Sequence, residues 1–257
     1  AWLAGRGPLL AERRAAGRVC DGHGDLLADD VFLLDDGPRV LDCVEFADEF
    51  RYGDVAFDVA FLAMDLERLG RPDLAAVFLR AYEDAAGEQL PPSLVHLAIA
   101  YRAQVRAKVT ALRAAQAGGA DGPEAVTARA LLDLCRRHVD AATVRLVLVG
   151  GAPGTGKSTI AAALGERLGA VVLRTDVVRK ELAGLEPTEP AGAELGAGIY
   201  TDAMTDRTYA EVARRAGEHL GRGRSVVVDA SFTAERHRAV IRAVASTGSA
   251  ALAELRC

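Results

Sequence analysis

The sequence predicts an α/β protein in two parts, a mainly helical first half and a second half built on a parallel sheet. Three observations carry this. Residues 144–149 form a nearly continuous apolar run that leads into a Gly-rich loop and a helix-like stretch at 158–168. An unbroken apolar strand is what burial on both faces requires. Residues 171–173 and 225–228 are further apolar runs separated by helical stretches, the alternation of a parallel sheet covered by helices. Before residue 143 the pattern differs, with one strand pair and then a series of stretches at helical period.

In chain order, residues 18–45 read as strand and loop. VFLL (31–34) and RVLD (39–42) are short apolar runs joined by the turn signal DDGP. Residues 54–70 carry Val55, Val59, Leu62, Leu66 and Leu69 on one expected inner face. Pro72 sits near the start of a second helix that ends by Gly87. Pro91 and Pro92 break the chain, and Ser93 is the expected cap of a long helix running to about residue 117. GGADGPE (118–124) is a loop, and residues 124–142 form one more helix linking the halves. The expected domains are 1–118, a linker at 119–142, and 143–257.

Apolar residues make up 50% of the 257-residue chain and charged residues 26%, which fits a globular protein. The formal net charge of -5 disfavours a broad nucleic-acid surface. No apolar run approaches the ~20 residues of a membrane helix. The cysteines Cys20, Cys43, Cys135 and Cys257 are far apart and form no CxxC pair, so reduced thiols and a cytoplasmic location are expected. Position 1 is not Met, and the chain ends at Cys257 in a stretch that reads as helix, so a piece of a longer protein is expected.

The most specific motif is Gly151-Ala152-Pro153-Gly154-Thr155-Gly156-Lys157-Ser158, which matches G-x-x-x-x-G-K-[ST]. Glycines let the backbone wrap phosphates with its N–H groups inward, and the following helix presents its positive end. Lys157 supplies charge for the β- and γ-phosphates, and Ser158 offers a hydroxyl to Mg²⁺. With Thr159, these residues form the expected site for ATP or GTP. Asp176 follows the second strand run and Arg179 lies three residues on. Asp176 is placed to accept a proton from an acceptor hydroxyl, and Arg179 to fix an anionic group; the plainer alternative is a helix cap and a solvated arginine. Asp229 ends the run Ser-Val-Val-Val-Asp, where it suits a Walker-B role holding Mg²⁺, a contact to acceptor or phosphate, or the start of a turn.

The Asp after the second strand and the Asp-x-x-Arg spacing resemble the small P-loop kinases related to phage polynucleotide kinase and the zeta toxins. That resemblance implies phosphoryl transfer to a hydroxyl. It also implies an Arg-bearing lid, which Arg236, Arg238 and Arg242 do not match in pattern. A nucleotide-binding switch and a nucleic-acid 5′-hydroxyl kinase are the alternative functions.

In the first half, His23-Gly24-Asp25 is followed by Asp30, and Leu41-Asp42 comes after the hairpin. This resembles the catalytic lobe of aminoglycoside phosphotransferase and choline kinase-like enzymes, a mainly helical kinase-like C-terminal lobe. The resemblance implies that Asp25 is the base orienting the acceptor hydroxyl, that Asp42 binds Mg²⁺, and that His23 holds the loop in shape. Asp30 stands where those enzymes carry a metal-binding Asn, and Asp58 matches an Asp that follows their metal site. Residues 1–60 hold 13 acidic and 6 basic residues, which suits metal ions or a cationic acceptor. Arg102, Arg106 and Arg113 share one helix face, where they can meet a phosphate or, as the plainer reading has it, stand solvated. Together the two halves resemble bacterial bifunctional aminoglycoside phosphotransferase/ATP-binding proteins, which leaves the small-molecule acceptor unnamed.

Overall fold

The computed structural model describes residues 2–116, 121–186 and 201–257. Its elements are α1 (Gly7–Ala15), β1 (Val19–Asp21), β2 (Val31–Leu34), β3 (Gly37–Val40), β4 (Tyr52–Asp54), α2 (Val55–Arg68), α3 (Pro72–Ala86), α4 (Pro92–Gln116) and α5 (Pro123–Ala141). These are followed by β5 (Arg145–Gly150), α6 (Lys157–Leu168), β6 (Val171–Arg174), α7 (Thr175–Leu182), α8 (Asp202–Gly221), β7 (Val226–Ala230), α9 (Glu235–Thr247) and β8 (Ala251–Arg256). Two compact units divide the chain: Leu10–Ala142, and Ala1–Leu9 with Thr143–Cys257.

Arg6 shows why the first residues group with the last. Its buried guanidinium donates to the carbonyls of Leu220 and Gly248 at 2.7 and 2.8 Å. Those carbonyls lie at the C-terminal ends of α8 and α9, where helices leave acceptors unsatisfied.

In the unit Leu10–Ala142, β1 pairs with β4 and β2 with β3, both antiparallel. Asp54 caps α2 by accepting from the Ala56 N–H, and Arg13 grips the same carboxylate at 2.5 and 2.8 Å. The bundle core joins Ala60, Phe61, Ala63 and Met64 of α2 to Ala98, Ile99, Ala103 and Ala107 of α4 and to Leu131 and Leu134 of α5. This corrects the expected inner face of α2. Leu69 is exposed, while Ala60, Phe61, Ala63 and Met64 are buried. Helices approach closest where side chains are small, so apolar size alone does not mark the seam. Pro92, not Ser93, opens α4, and Ser93 is buried inside it. Proline suits a first turn because its missing N–H has no partner to lose there. The segment expected to link the halves packs instead as α5 along α4, burying Ala128, Leu131, Leu134 and His138. Of the loop expected at 118–124, residues 118–120 lie outside the described residues.

The second unit holds a four-stranded parallel sheet in the order β6-β7-β5-β8. Its end corrects another expectation, because residues 251–256 form strand β8 beside β5 rather than a helix. Ala, Leu, Glu and Arg are strong helix formers, but propensity yields to pairing with a strand. Leu146, Leu148, Val226 and Val228 pack with Tyr209, Val212, Leu220 and Ile241, while Val147, Val149 and Val227 pack with Ala161 of α6. Both faces are covered, which explains the unbroken apolar strands. Alternation along β7 puts Asp229 on the face of Val227, toward α6.

Candidate functional site

β5 ends at Gly150, and the loop that follows turns back into α6. Gly154 and Gly156 have φ of 83° and 81°, with Gly156 as the left-handed N-cap of α6. Glycine takes that conformation at little steric cost. A Cβ on Gly151 would lie 2.7 Å from Thr155 Oγ1 and 3.0 Å from the Cys257 carbonyl, so glycine is needed there for packing. Thr155 Oγ1 donates to the Ala152 carbonyl at 2.8 Å. Ala152, Pro153, Gly154, Thr155 and Gly156 are exposed, leaving the amino end of α6 open to an anion.

Strand register assembles the rest. Arg174 of β6, Asp229 of β7 and Val149 of β5 are partners in one row. The carboxyl ends of parallel strands thus meet the loop, the usual place of a ligand crevice in such sheets. A cleft of about 230 Å³ forms there, lined by Lys157, Ser158, Asp176, Arg179, Asp229 and Ser231 among others. Thr159 is exposed in the first turn of α6 and does not line it.

Asp229 is only 3% exposed. Its Oδ1 has no hydrogen-bond partner among the described residues, and its Oδ2 lies 3.7 Å from Arg174 Nε. A buried oxygen left without a partner is costly. A divalent cation would satisfy it, and the Ser158 hydroxyl in the same cleft would add a second hard oxygen donor. The residues therefore fit Mg²⁺. Asp229 sits inside β7 and does not start the turn. Nor does Asp176 cap α7: the N-cap is Arg174, and Asp176 lies in the first helical turn. Arg174 Nη2 donates to Asp176 Oδ2 at 2.9 Å, so one arginine stands beside both carboxylates. Thr175 Oγ1 donates to the Asp229 carbonyl at 3.2 Å, fastening α7 to β7. Arg174 and Ser231 were not singled out from sequence; the signal that finds them is position, each within two residues of a strand-end Asp.

The unit Leu10–Ala142 holds a second charged cluster. Asp58 accepts from the N–H groups of His23 and Gly24 at 2.5 and 2.9 Å. A Cβ on Gly22 would lie 1.9 Å from Asp58 Oδ2, so this close approach demands glycine. His23 Nε2 lies 2.8 Å from the Leu41 carbonyl. Asp25 faces Arg106 at 3.6 Å. Burial pushes the Asp25 carboxyl above the ordinary value, against the opposing pull of Arg106. Asp30 accepts from the Leu27 N–H at 3.1 Å, and Asp42 is exposed with φ of 66°. Among the described residues no group of three or more His, Cys, Asp or Glu side chains is placed to hold a metal ion.

Two arginines of α4 correct the expected solvated face. Arg102 donates to the Phe57 carbonyl at 3.1 Å, lies 3.8 Å from Asp58 and stacks on Phe61 at 4.6 Å. Arg106 meets Asp25, and only Arg113 is exposed. Arg102 is thus turned toward Asp58 of α2, and Arg106 toward Asp25 in the loop before β2.

Residues 146–255 match the AAA domain family. Along its full length the chain is 46% identical to an uncharacterized protein of Mycobacterium tuberculosis (strain H37Rv) and spans 51% of that protein. A UPF0200 protein of Aeropyrum pernix is 39% identical over 101 residues, 38% of this chain and 52% of its own length. The chain thus spans about half the length of the curated relatives it matches. An APS kinase of Mycobacterium tuberculosis aligns at 24% identity over 45% of this chain and 76% of its own, with a TM-score of 0.35. A score that low assigns neither fold nor activity. No helix among the described residues is long and apolar enough to cross a membrane.

Proposed function

We propose that residues 143–257 bind ATP or GTP with Mg²⁺ and transfer the γ-phosphoryl group to a hydroxyl of a small-molecule acceptor. The observation that carries this reading is the convergence of Lys157, Ser158, Asp176, Arg179 and Asp229 on one cleft. The backbone of 151–156 and the start of α6 receive the phosphates, and Lys157 adds a positive charge. Ser158 and Asp229 are the oxygen donors that hold Mg²⁺, which screens phosphate charge when bound. Asp176 accepts the proton of the acceptor hydroxyl, and Arg179, one turn along α7, positions the acceptor. Arg174 keeps the Asp176 carboxylate oriented.

For the unit Leu10–Ala142 the proposal is a phosphotransferase-like lobe. Asp25 is its base, and Asp30 and Asp42 are its metal-binding carboxylates. The observation in its favour is the loop 22–25 pinned by Asp58.

Calorimetric titration with ATP–Mg²⁺ tests the main reading. Lys157→Ala is expected to weaken binding about tenfold to a hundredfold, the worth of a charged hydrogen bond. Asp176→Ala is expected to bind within about twofold of wild type while losing transfer to hydroxyl acceptors. Wild-type affinity in Lys157→Ala sinks the proposal.

A further inference from the structure

β7 ends in a turn with an uncommon backbone. Phe232 has φ of 47°, a left-handed conformation that a residue with a Cβ resists. Such a residue persists only where its surroundings hold it. Three contacts do so. The Phe232 N–H donates to the Tyr209 hydroxyl oxygen at 3.1 Å. The two rings pack with centroids 5.6 Å apart. The Phe232 ring also lies against Gly150, where an added Cβ would sit 3.3 Å from Cδ2. Tyr209 and Phe232 are both buried.

Tyr209 is itself fixed from behind. His237 stacks on it at 4.1 Å with the rings 6° from parallel, and His237 Nε2 is 2.6 Å from Asp206 Oδ1. The turn it holds is short. Ser231, just before Phe232, lines the cleft, and Asp229, three residues before, carries the buried oxygen without a partner. Gly150, under the Phe232 ring, is the last residue before the phosphate loop. One buried ring thus touches both arms of the cleft.

We propose that Tyr209 is a positioning residue: its hydroxyl oxygen holds the strained Phe232 turn and thereby fixes the Asp229 carboxylate on the metal-binding side of the cleft. The inference rests on the nucleotide reading above. Tyr209 does not line the cleft and acts only through the backbone of residues 229–232.

Tyr209→Phe removes one oxygen and keeps the ring and its stack. Calorimetry with ATP, in Mg²⁺ and in EDTA, gives the factor by which Mg²⁺ tightens binding. That factor is expected to fall about fivefold in Tyr209→Phe, the scale of one hydrogen bond, with metal-free binding within about twofold of wild type. In an Asp229→Asn background the same change is expected to have no further effect, because the carboxylate it acts through is gone. A packing role alone lowers the melting temperature and leaves the Mg²⁺ factor unchanged. Should Tyr209→Phe fail to fold, Phe232→Gly loosens the same turn and is expected to lower the same factor. An undiminished factor in the folded variant, or simple additivity with Asp229→Asn, overturns the proposal. Wild-type binding that is lost in Lys157→Ala, with a normal factor in Tyr209→Phe, removes this inference and keeps the nucleotide reading. No ATP binding by folded wild type removes both.

Discussion

The loops at 151–156 and 22–25 both bring charged side chains to solvent-facing sites, and they are held by different means. The first is shaped by its own dihedrals, with Gly154 and Gly156 left-handed and α6 starting at once. The second is shaped from outside, by the Asp58 carboxylate that collects two backbone N–H groups from a helix 35 residues on. A loop of the first kind is written in adjacent residues. A loop of the second kind exists only once α2 has packed, and α2 is placed by the bundle behind it.

The comparison is sharpest at Asp58. Asp58→Ala is expected to strip two N–H groups of their acceptor and leave Arg102 without its anion, costing about 2–4 kcal/mol. Urea unfolding measures this, and a change below about 0.5 kcal/mol would break the claim that one carboxylate holds the loop. In the other loop the matching change is Gly156→Ala, which forces a Cβ into φ of 81°. It is expected to cost about 1–2 kcal/mol and to weaken ATP binding by calorimetry, with no effect on the loop at 22–25.

The smallest effect concerns the bundle that supports the second loop. His96 Nδ1 and His138 Nδ1 lie 3.0 Å apart, and His138 Nε2 is 2.9 Å from Glu67. Burial first, and His138 second, hold the His96 pKa below its ordinary value. The folded state therefore favours neutral His96, so this contribution to stability is present above the ordinary pKa of about 6.5 and fades as pH falls below it. Unfolding midpoints measured between about pH 7.5 and 5.5 are expected to fall more steeply in wild type than in His96→Gln. Parallel curves would remove His96 from the account.

Much of the second half was legible because its signals are local. The phosphate loop needs glycine at fixed spacing, and a two-sided strand needs an unbroken apolar run. Asp176 and Asp229 were found because they end such runs. Arg174 was missed because its role depends on register, which pairs it with Asp229 across 55 residues of chain. Tyr209 was missed for the same reason: only the folded turn brings its hydroxyl to Phe232. In the first half, the helices at 55–68 and 72–86 were legible from period and from Pro72 and Gly87, but the buried seam of α2 was not, since it runs through Ala60, Phe61, Ala63 and Met64 and is chosen only by packing against α4 and α5.

The sequence by itself determined the phosphate loop, the alternation of strand and helix around it, and the caps and breaks that set most helix ends. These depend on backbone sterics and on hydrophobic period, which act between near neighbours. Tertiary structure alone decided that 251–256 is a strand, that Arg6 joins the first residues to the second unit, that α5 belongs to the bundle, and that Arg102 turns toward Asp58 of α2 and Arg106 toward Asp25. Each of these is a choice between partners distant in sequence. It is settled by which strand edge, carbonyl or carboxylate is left to be satisfied once the chain is compact.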